Sequence, residues 1–224
     1  MKRQRTSGYD KKMASSTTQG LQNKEIQTKS PRPRGRPVSG SVDRALVDAA
    51  LQEFILRGYH AMSMESIAGR AGVSKVSLYR RWSSKSAVTA EIFRLLSETK
   101  AVEDRGSLEA DIRSLLEQSI GSPSAKSDAK MLMRTMGEIS DNPELLALYR
   151  MHLLNPRMEQ LRALLERARA RKELRSGVSI DAACFMVAGP LFLYYLTLLT
   201  GVNASLPRDL ARQMTQAILD GVAK

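Results

Sequence analysis

The 224-residue chain is long enough to hold one large or two small domains with a substantial core. Aromatic residues make up 5% of it, leucine, alanine and methionine are common, and runs of β-branched residues are absent, which favours an all-α fold. A single cysteine excludes an internal disulfide and no apolar stretch follows the basic start, so we expect a cytoplasmic protein without a secretory signal.

The net charge of +12 is concentrated at the N-terminal end of the chain. Residues 1–40 carry 10 Lys or Arg and 2 Asp or Glu, residues 41–97 carry 8 and 5, and residues 98–224 carry 17 and 16. A polyanionic partner of the N-terminal part explains this asymmetry better than a general need for solubility does. These three ranges are therefore predicted to be a disordered basic arm, a DNA-binding domain and a charge-balanced second domain.

The arm contains the segment Pro33-Arg34-Gly35-Arg36-Pro37. Its Arg-Gly-Arg centre between prolines is slim and extended, and it resembles the AT-hook element that lies in a narrow minor groove. Arg34 and Arg36 are therefore candidate DNA-binding residues, because a narrow groove has an enhanced negative potential. The alternative is a generic basic tail that contacts only phosphates.

Two short helices joined by a tight turn are predicted between residues 63 and 81. Ser63 fits the N-cap of the first helix, and Gly72 fits its end because glycine takes the left-handed conformation without a Cβ penalty. Ser74 fits the N-cap of the second helix. Such a pair is a helix-turn-helix, the unit that seats its second helix in the DNA major groove.

The second of these helices has one apolar side and one polar side. Leu78 and Trp82 are four residues apart and can pack against the first helix. The outward side chains are two cations, a hydroxyl and an aromatic with a polar tip, which suit base edges and phosphates: Lys75, Ser77, Tyr79 and Arg80. The alternative is a solvated face on an ordinary helical hairpin.

A longer helix is predicted on each side of the hairpin. Apolar residues recur at three- and four-residue spacing from 41 to 57, which predicts an amphipathic helix that ends at Gly58. Ser83 or Ser84 fits the N-cap of a helix that extends to about Lys100. The first of these helices would complete a three-helix bundle.

The string I-A-G-R-A-G-V-S-K-V-S-L-Y-R-R-W-S-S-K, at residues 67–85, resembles the signature of TetR-type transcriptional regulators. The resemblance implies major-groove contacts by Lys75, Val76, Ser77, Tyr79 and Arg80 and a phosphate contact by Lys85. With the cap residues Ser63 and Ser74 these complete the candidate DNA-binding set. Arg80, Arg81 and Trp82 stand where a His or Tyr and then Phe are common in the family, which adds positive charge to this surface.

The rest of the chain also has a helical pattern. Breaks are expected at Gly121, at Asn142-Pro143 and at Asn155-Pro156, with a new helix starting after each. Residues 182–207 contain no charge and are formally long enough to span a bilayer, although Gly189-Pro190 interrupts them. A core or dimer-interface helix has the same composition, and we favour that interpretation over membrane insertion.

The string G-P-L-F-L-Y-Y-L-T-L-L-T-G within that stretch is similar to the penultimate helix of one TetR branch, where the last two helices form a four-helix dimer interface. The resemblance implies an N-terminal three-helix domain, a C-terminal ligand-binding and dimerisation domain, and about nine helices in all. It also implies a small-molecule effector. Candidate pocket residues, for which a plain core role is the alternative, are Met131, Met136, Tyr149, Leu153, Phe185, Phe192 and Tyr194.

Motifs of enzymes and metal proteins are absent from the sequence. It has no Gly-rich phosphate loop and no nucleophile elbow. Two histidines, His60 and His152, and one thiol, Cys184, lack metal-ligand spacing. We therefore expect no enzyme activity, no cofactor and no metal.

These observations predict a dimeric, sequence-specific DNA-binding regulator, a repressor, which binds a palindromic operator on double-stranded DNA and is released by a small apolar effector. One alternative is an architectural DNA-binding protein that uses the same helix-turn-helix domain without an effector. A second is a membrane-anchored helical protein.

Overall fold

A computed structural model describes residues 40–98, 102–201 and 206–223, so Arg34 and Arg36 of the predicted arm lie outside the described residues. The α-helical stretches are α1 (Gly40–Ala61), α2 (Met64–Ala71), α3 (Lys75–Tyr79), α4 (Lys85–Glu98), α5 (Leu108–Glu117), α6 (Ala125–Glu138), α7 (Pro143–Tyr149), α8 (Asn155–Ala170), α9 (Ile180–Thr200) and α10 (Leu210–Val222). The predicted all-α fold is confirmed. Since α7 and α8 are continuous, these residues form nine separate helices.

The continuity of α7 and α8 differs from the prediction of a new helix after Asn155-Pro156. A π-helical segment, Arg150–Leu154, joins them, and the Asn155 N–H donates to the Arg150 carbonyl. A proline inside an α-helix removes one hydrogen bond and crowds the carbonyl four residues earlier. The wider π turn directly before Pro156 relieves both effects, because its hydrogen bonds skip one more residue.

The end of α1 contains a sharp break. Gly58 has φ 79° and ψ 172°, a conformation open essentially only to glycine, and the turn that follows closes through a 3.1 Å hydrogen bond from Met62 N to the Gly58 carbonyl. The helix predicted from the sequence also ends at this glycine. A Cβ at position 58 would also lie 1.8 Å from Glu138 Oε1, so the position is constrained by both backbone and space.

One apolar core holds the N-terminal helices together and extends into the following segment. Leu46, Phe54, Ile67, Leu78 and Phe93 are buried in it, one or more from each of α1 to α4. Further buried members come from α6, α7 and the π segment: Met131, Leu145 and Leu153. The base on which α2 and α3 rest is therefore shared with residues beyond 98.

A second core lies among α5, α8, α9 and α10, with Ile112, Leu164, Val187 and Val222 at its centre. Helix α9 contributes one side to it and leaves other large apolar side chains exposed. Within the described part of the chain, α9 is also the one helix long and apolar enough to cross a membrane by length and composition, and 28% of its apolar window is buried. A helix buried to that extent still has a free apolar face.

Candidate DNA-binding surface and ligand cavity

Helix α2 and the turn after it are fixed by local hydrogen bonds. Ser63 Oγ accepts from the Ser66 N–H at 3.1 Å, and Ser66 Oγ accepts from the Ser63 N–H at 3.0 Å, which makes a reciprocal capping box. Gly72 ends the helix with φ 65°. The Ser63 hydroxyl, a candidate DNA contact, is therefore engaged in holding the helix start.

Helix α3 begins in the same way and shows most of its surface to solvent. Ser74 Oγ accepts from the Ser77 N–H at 3.2 Å, so both serine side chains take part in the cap. Leu78 is fully buried and fixes α3 against the core. Val76 is 77% exposed and Tyr79 is 48% exposed. An exposed apolar side chain and an exposed phenol on one helix can contact a thymine methyl group and a base edge or phosphate.

The two cations of α3 are in different situations. Lys75 forms an ion pair with Glu65 of α2, and this hydrogen bond lowers the pKa of the Glu65 carboxyl. The Arg80 side chain, at the end of α3, is exposed and makes no hydrogen bond or ion pair with any residue that the structure describes. The Arg80 side chain can therefore contact a phosphate directly, whereas the Lys75 ammonium must first separate from the Glu65 carboxylate.

A buried carboxylate joins α2 to α1 beneath this surface. Glu53 receives ion pairs from Arg57 at 2.6 Å and from Arg70 at 2.7 Å. Burial on its own raises the pKa of the Glu53 carboxyl, but the Arg70 hydrogen bond, the Ser66 side chain and the two arginine charges outweigh it and hold the pKa below its usual range. The pair therefore fixes the position of α2 while Glu53 is ionised.

Lys85, the candidate phosphate contact, points back to the turn after Gly58. Its Nζ donates to the Tyr59 carbonyl at 3.0 Å and to the His60 carbonyl at 3.3 Å, and it lies 4.5 Å from the centre of the Tyr59 ring. An ammonium group has three donors, so one remains for a phosphate. In this structure Lys85 first serves to hold that turn.

Helices α6 and α7 hold the same turn from the other side. Tyr59 Oη donates to Glu144 Oε2 at 2.6 Å, and the His60 N–H donates to Glu138 Oε2 at 3.0 Å. Burial, together with the hydrogen bond to Glu144 and its charge, raises the pKa of the Tyr59 phenol. Arg134 Nη2 donates to the Leu56 carbonyl at 3.1 Å. Polar contacts thus tie the end of α1 to α6 and α7.

A cavity of about 220 Å³ lies among α4 to α9. Four of the seven predicted pocket residues line it: Met131, Tyr149, Leu153 and Phe192. The other three lie outside its wall. Phe185 is 74% exposed on the outer side of α9, and Tyr194 packs on Ala125 and Ala129 while its Oη accepts from the Gly121 N–H at 3.0 Å. Met136 is half-buried on α6, one and a half turns beyond Met131.

The sequence did not identify the polar residues of this cavity. Arg157, Asp128, Gln160 and Tyr195 line it together with the apolar side chains. The sequence pattern could have identified Arg157, because this residue lies four residues from each of two buried leucines, Leu153 and Leu161. That spacing puts a cation on the apolar stripe of a helix. On α9 the tyrosine that lines the cavity is Tyr195, the neighbour of the predicted Tyr194.

The described residues offer no candidate metal centre, since no three His, Cys, Asp or Glu side chains among them form a group that could hold an ion. What they do bring together is a helix-turn-helix whose second helix faces solvent, on a helical domain with a cavity. This combination defines a DNA-binding protein of the helix-turn-helix class with further helices around a cavity.

Comparison with known proteins gives the family. The family model for bacterial regulatory proteins of the tetR family matches residues 46–92, and the model for the tetracyclin repressor-like C-terminal domain matches residues 102–217. The HTH-type transcriptional regulator YdeS of Bacillus subtilis is 31% identical over 180 residues, which cover 79% of this chain and 89% of YdeS. The chain belongs to the TetR family of DNA-binding transcriptional regulators.

Two further relatives agree with this assignment. The DNA-binding transcriptional repressor TetR of Mycobacteroides abscessus is 32% identical over 160 residues, which cover 69% of this chain and 81% of that protein. Among solved structures, TylP, a TetR regulator from Streptomyces fradiae, superposes with a TM-score of 0.63 at 25% identity and covers 82% of this chain and 87% of its own. The family expectation drawn from residues 67–85 is thus confirmed.

Proposed function

We propose that this protein is a repressor that binds a palindromic operator as a homodimer and is released by a small, largely apolar effector. The observation that carries the proposal is the outer side of α3, where Val76, Tyr79 and Arg80 are exposed on a helix fixed by Ser74 and Leu78. A rigid helix with free base-reading side chains suits sequence-specific recognition rather than charge alone.

Dimerisation is supported by the outer face of α9. Its exposed apolar side chains lie along one side of the helix, as in a seam between packed helices: Phe185, Leu193, Leu196 and Leu199. A twofold dimer built on this face would present two α3 helices. On B-DNA their half-sites would lie about 34–36 Å apart, one helical turn.

Effector control is supported by the position of the cavity. Leu96, in the last turn of α4, is part of its wall, and Arg157 Nη2 donates to the Leu96 carbonyl at 2.6 Å. A molecule in the cavity would therefore touch the helix that follows the DNA-binding hairpin. A ligand that binds more tightly to the protein with α4 in one position favours that position. This changes the distance between the two α3 helices of the dimer.

The arm, residues 1–40, is proposed to add affinity through phosphates and through Arg34 and Arg36 in the minor groove. Deleting residues 1–36 should flatten the dependence of log K on log salt, because each phosphate contact contributes a slope of about −0.9. Fluorescence anisotropy at several salt concentrations measures it. An unchanged slope would show that the arm makes no DNA contact.

The repressor role is inferred from the M. abscessus relative, which carries that name. A cytoplasmic location and the lack of enzyme activity follow from the same role, since the regulators that this chain is similar to act on DNA. We define the domains accordingly as the arm 1–40, the DNA-binding domain 41–97 and the regulatory and dimerisation domain 98–224.

The decisive experiment is selection from randomised duplexes with the full chain, followed by sedimentation of the selected complex. We expect a palindromic site with two protomers bound. Enrichment without any palindrome would favour the architectural alternative instead. A chain that stays in solution only with detergent would favour the membrane-anchored alternative.

A further inference from the structure

Among the residues that the structure describes, the cavity wall is mostly apolar and contains one guanidinium group. Leu115, Met158, Leu191 and Phe192 are among the side chains that form the apolar part, and Arg157 is the cation. Arg157 extends from the start of α8, directly after Pro156, so its backbone is fixed by a long continuous helix. A fixed backbone and the hydrogen bond of Nη2 to the Leu96 carbonyl give the guanidinium group a defined position.

The hydrogen bonds of Arg157 are incomplete. Nη2 donates to the Leu96 carbonyl at 2.6 Å, while Nε is shielded from solvent and has no hydrogen-bond partner among the described residues. Arginine stays protonated in proteins, so a positive charge is held here with a donor unused. A buried donor without an acceptor is costly, and such groups in native structures call for an explanation.

Neighbouring polar groups do not neutralise this cation. Burial lowers the pKa of Arg157, and the negative potential of Tyr195, Asp128 and Tyr149 opposes that shift without offsetting it. Asp128 is half-buried and accepts from the Ser124 hydroxyl at 3.0 Å, so part of its charge is directed to the start of α6. The Arg157 guanidinium group therefore still lacks a hydrogen-bond acceptor, and it lies next to an apolar space.

We infer that the effector of this cavity is an amphipathic carboxylate, whose anionic head accepts hydrogen bonds from Arg157 and whose apolar part packs on Leu191, Phe192 and Met158. The inference rests on the proposed function, because it names the chemical class of the effector. A planar carboxylate matches the guanidinium fork and forms hydrogen bonds of about twice the strength of neutral ones.

The size of the cavity limits the apolar part. A dry cavity of about 150 Å³ accommodates benzene, with its six carbons. By proportion, about 220 Å³ accommodates roughly nine non-hydrogen atoms. Octanoate, a seven-carbon chain with a carboxylate, has about ten non-hydrogen atoms and is close to this size. Sodium octanoate is therefore a suitable probe, and octanamide is the neutral probe of the same shape.

The test is isothermal titration of the full chain with each probe in the absence of DNA. We expect octanoate to bind at least about tenfold more tightly than octanamide, the difference between a charge-assisted and a neutral hydrogen bond at a buried site. Equal affinities would overturn the inference, as would tighter binding of the amide or no binding of octanoate. This comparison needs no variant.

Three variants test whether the contrast comes from this cavity. Arg157→Gln should reduce the octanoate-to-octanamide ratio to about one, while Ala188→Leu, which fills part of the cavity, should weaken both probes. The matched control is Arg162→Gln on the exposed side of α8, where Arg162 pairs with Asp181, and it should keep the ratio of the unmodified chain. A ratio that persists in Arg157→Gln would assign the anion to another site and overturn the inference.

The outcome is separable from that of the operator selection. Selection is carried out without any ligand, so a palindrome together with no octanoate binding would reject the effector class and leave the proposed DNA recognition in place. Octanoate binding with no enriched palindrome would do the reverse.

Discussion

Helices α3 and α9 both expose large apolar side chains to solvent, but the residues beside these side chains differ. Val76 and Tyr79 on α3 lie next to Lys75 and Arg80. On α9, from Ala182 to Thr200, no residue is charged. A short helix with cations suits a polyanion, whereas a long uncharged face suits another apolar surface. Exposed apolar residues therefore indicate different partners according to the charges beside them.

The two helices are also held in place differently. Helix α3 has five residues and is fixed by its Ser74 cap and by one fully buried side chain, Leu78. Helix α9 has 21 residues and is fixed by packing along one side, with Val187 and Ala183 fully buried. Changes to the exposed face of either helix should therefore affect its partner and spare the fold. The predictions below test that separation.

The largest effect is expected from a charge on the α9 face. Leu193→Glu should weaken dimerisation by about 3 kcal/mol, more than a hundredfold, because an interface would have to bury an unpaired carboxylate. Analytical ultracentrifugation over a range of concentrations measures it. The matched control is Leu56→Glu, an equally exposed leucine on α1, which should leave the sedimentation unchanged. Equal behaviour of the two variants would remove α9 from the interface.

A smaller effect is expected from the outer side of α3. Tyr79→Ala should weaken binding to the selected operator by about 1–3 kcal/mol and binding to random duplex far less, because base contacts are lost only on the operator. Arg80→Ala is the comparison, and it should weaken both complexes alike if Arg80 contacts phosphate. Anisotropy titrations at one salt concentration measure all four complexes. A loss for Tyr79→Ala that is equal on both duplexes would contradict base reading.

The ion pair under α2 should have a pH-dependent effect on stability. The pKa of Glu53 is lowered in the folded protein, so its contribution is present above the unfolded pKa and is lost as the pH falls through the folded pKa. Glu53→Gln should cost about 1 kcal/mol at pH 7, since both arginines reach solvent and screening limits the pair.

As the pH falls through the lowered pKa of the folded Glu53 carboxyl, the two proteins should converge, because the carboxyl becomes protonated in the unmodified chain. Urea unfolding followed by circular dichroism at several pH values measures the difference. A difference that stays constant down to the lowest pH at which both proteins are folded would mean that Glu53 stabilises the fold through its shape and not through its charge.

The helix-turn-helix could be predicted from the sequence because its determinants are local. Ser63, Gly72 and Ser74 act on backbone groups within a few residues of themselves, and each is found in the expected role. Leu78 was also predicted to face inward, since a short helix with one apolar side has one way to pack.

The cavity could be predicted only in part, because its wall comes from helices distant in sequence. Helix α9 is apolar on every side, so periodicity does not distinguish the cavity-facing Phe192 from the outward Phe185. The role of Arg157 depends on the π segment that lets the helix continue through Pro156, and no propensity rule predicts that segment. Such features depend on tertiary packing.

The smallest predicted effect is a gain in DNA affinity from a single charge on the recognition surface. Glu65 is exposed beside α3 and holds the Lys75 ammonium in an ion pair. Removing the carboxylate frees that cation and also takes away a repulsion with phosphates. Glu65→Gln should therefore bind both operator and random duplex roughly two- to fivefold more tightly at low salt.

The matched control is Glu109→Gln on α5, which removes the same charge from a similar exposed pair, with Arg113. A general effect of net charge would strengthen DNA binding equally in the two variants, whereas release of Lys75 requires a gain in Glu65→Gln alone. Weaker binding of Glu65→Gln would mean that the carboxylate positions Lys75 for its contact. In that case the ion pair would be part of the recognition surface of α3, and α2 and α3 would have to be treated as one binding element.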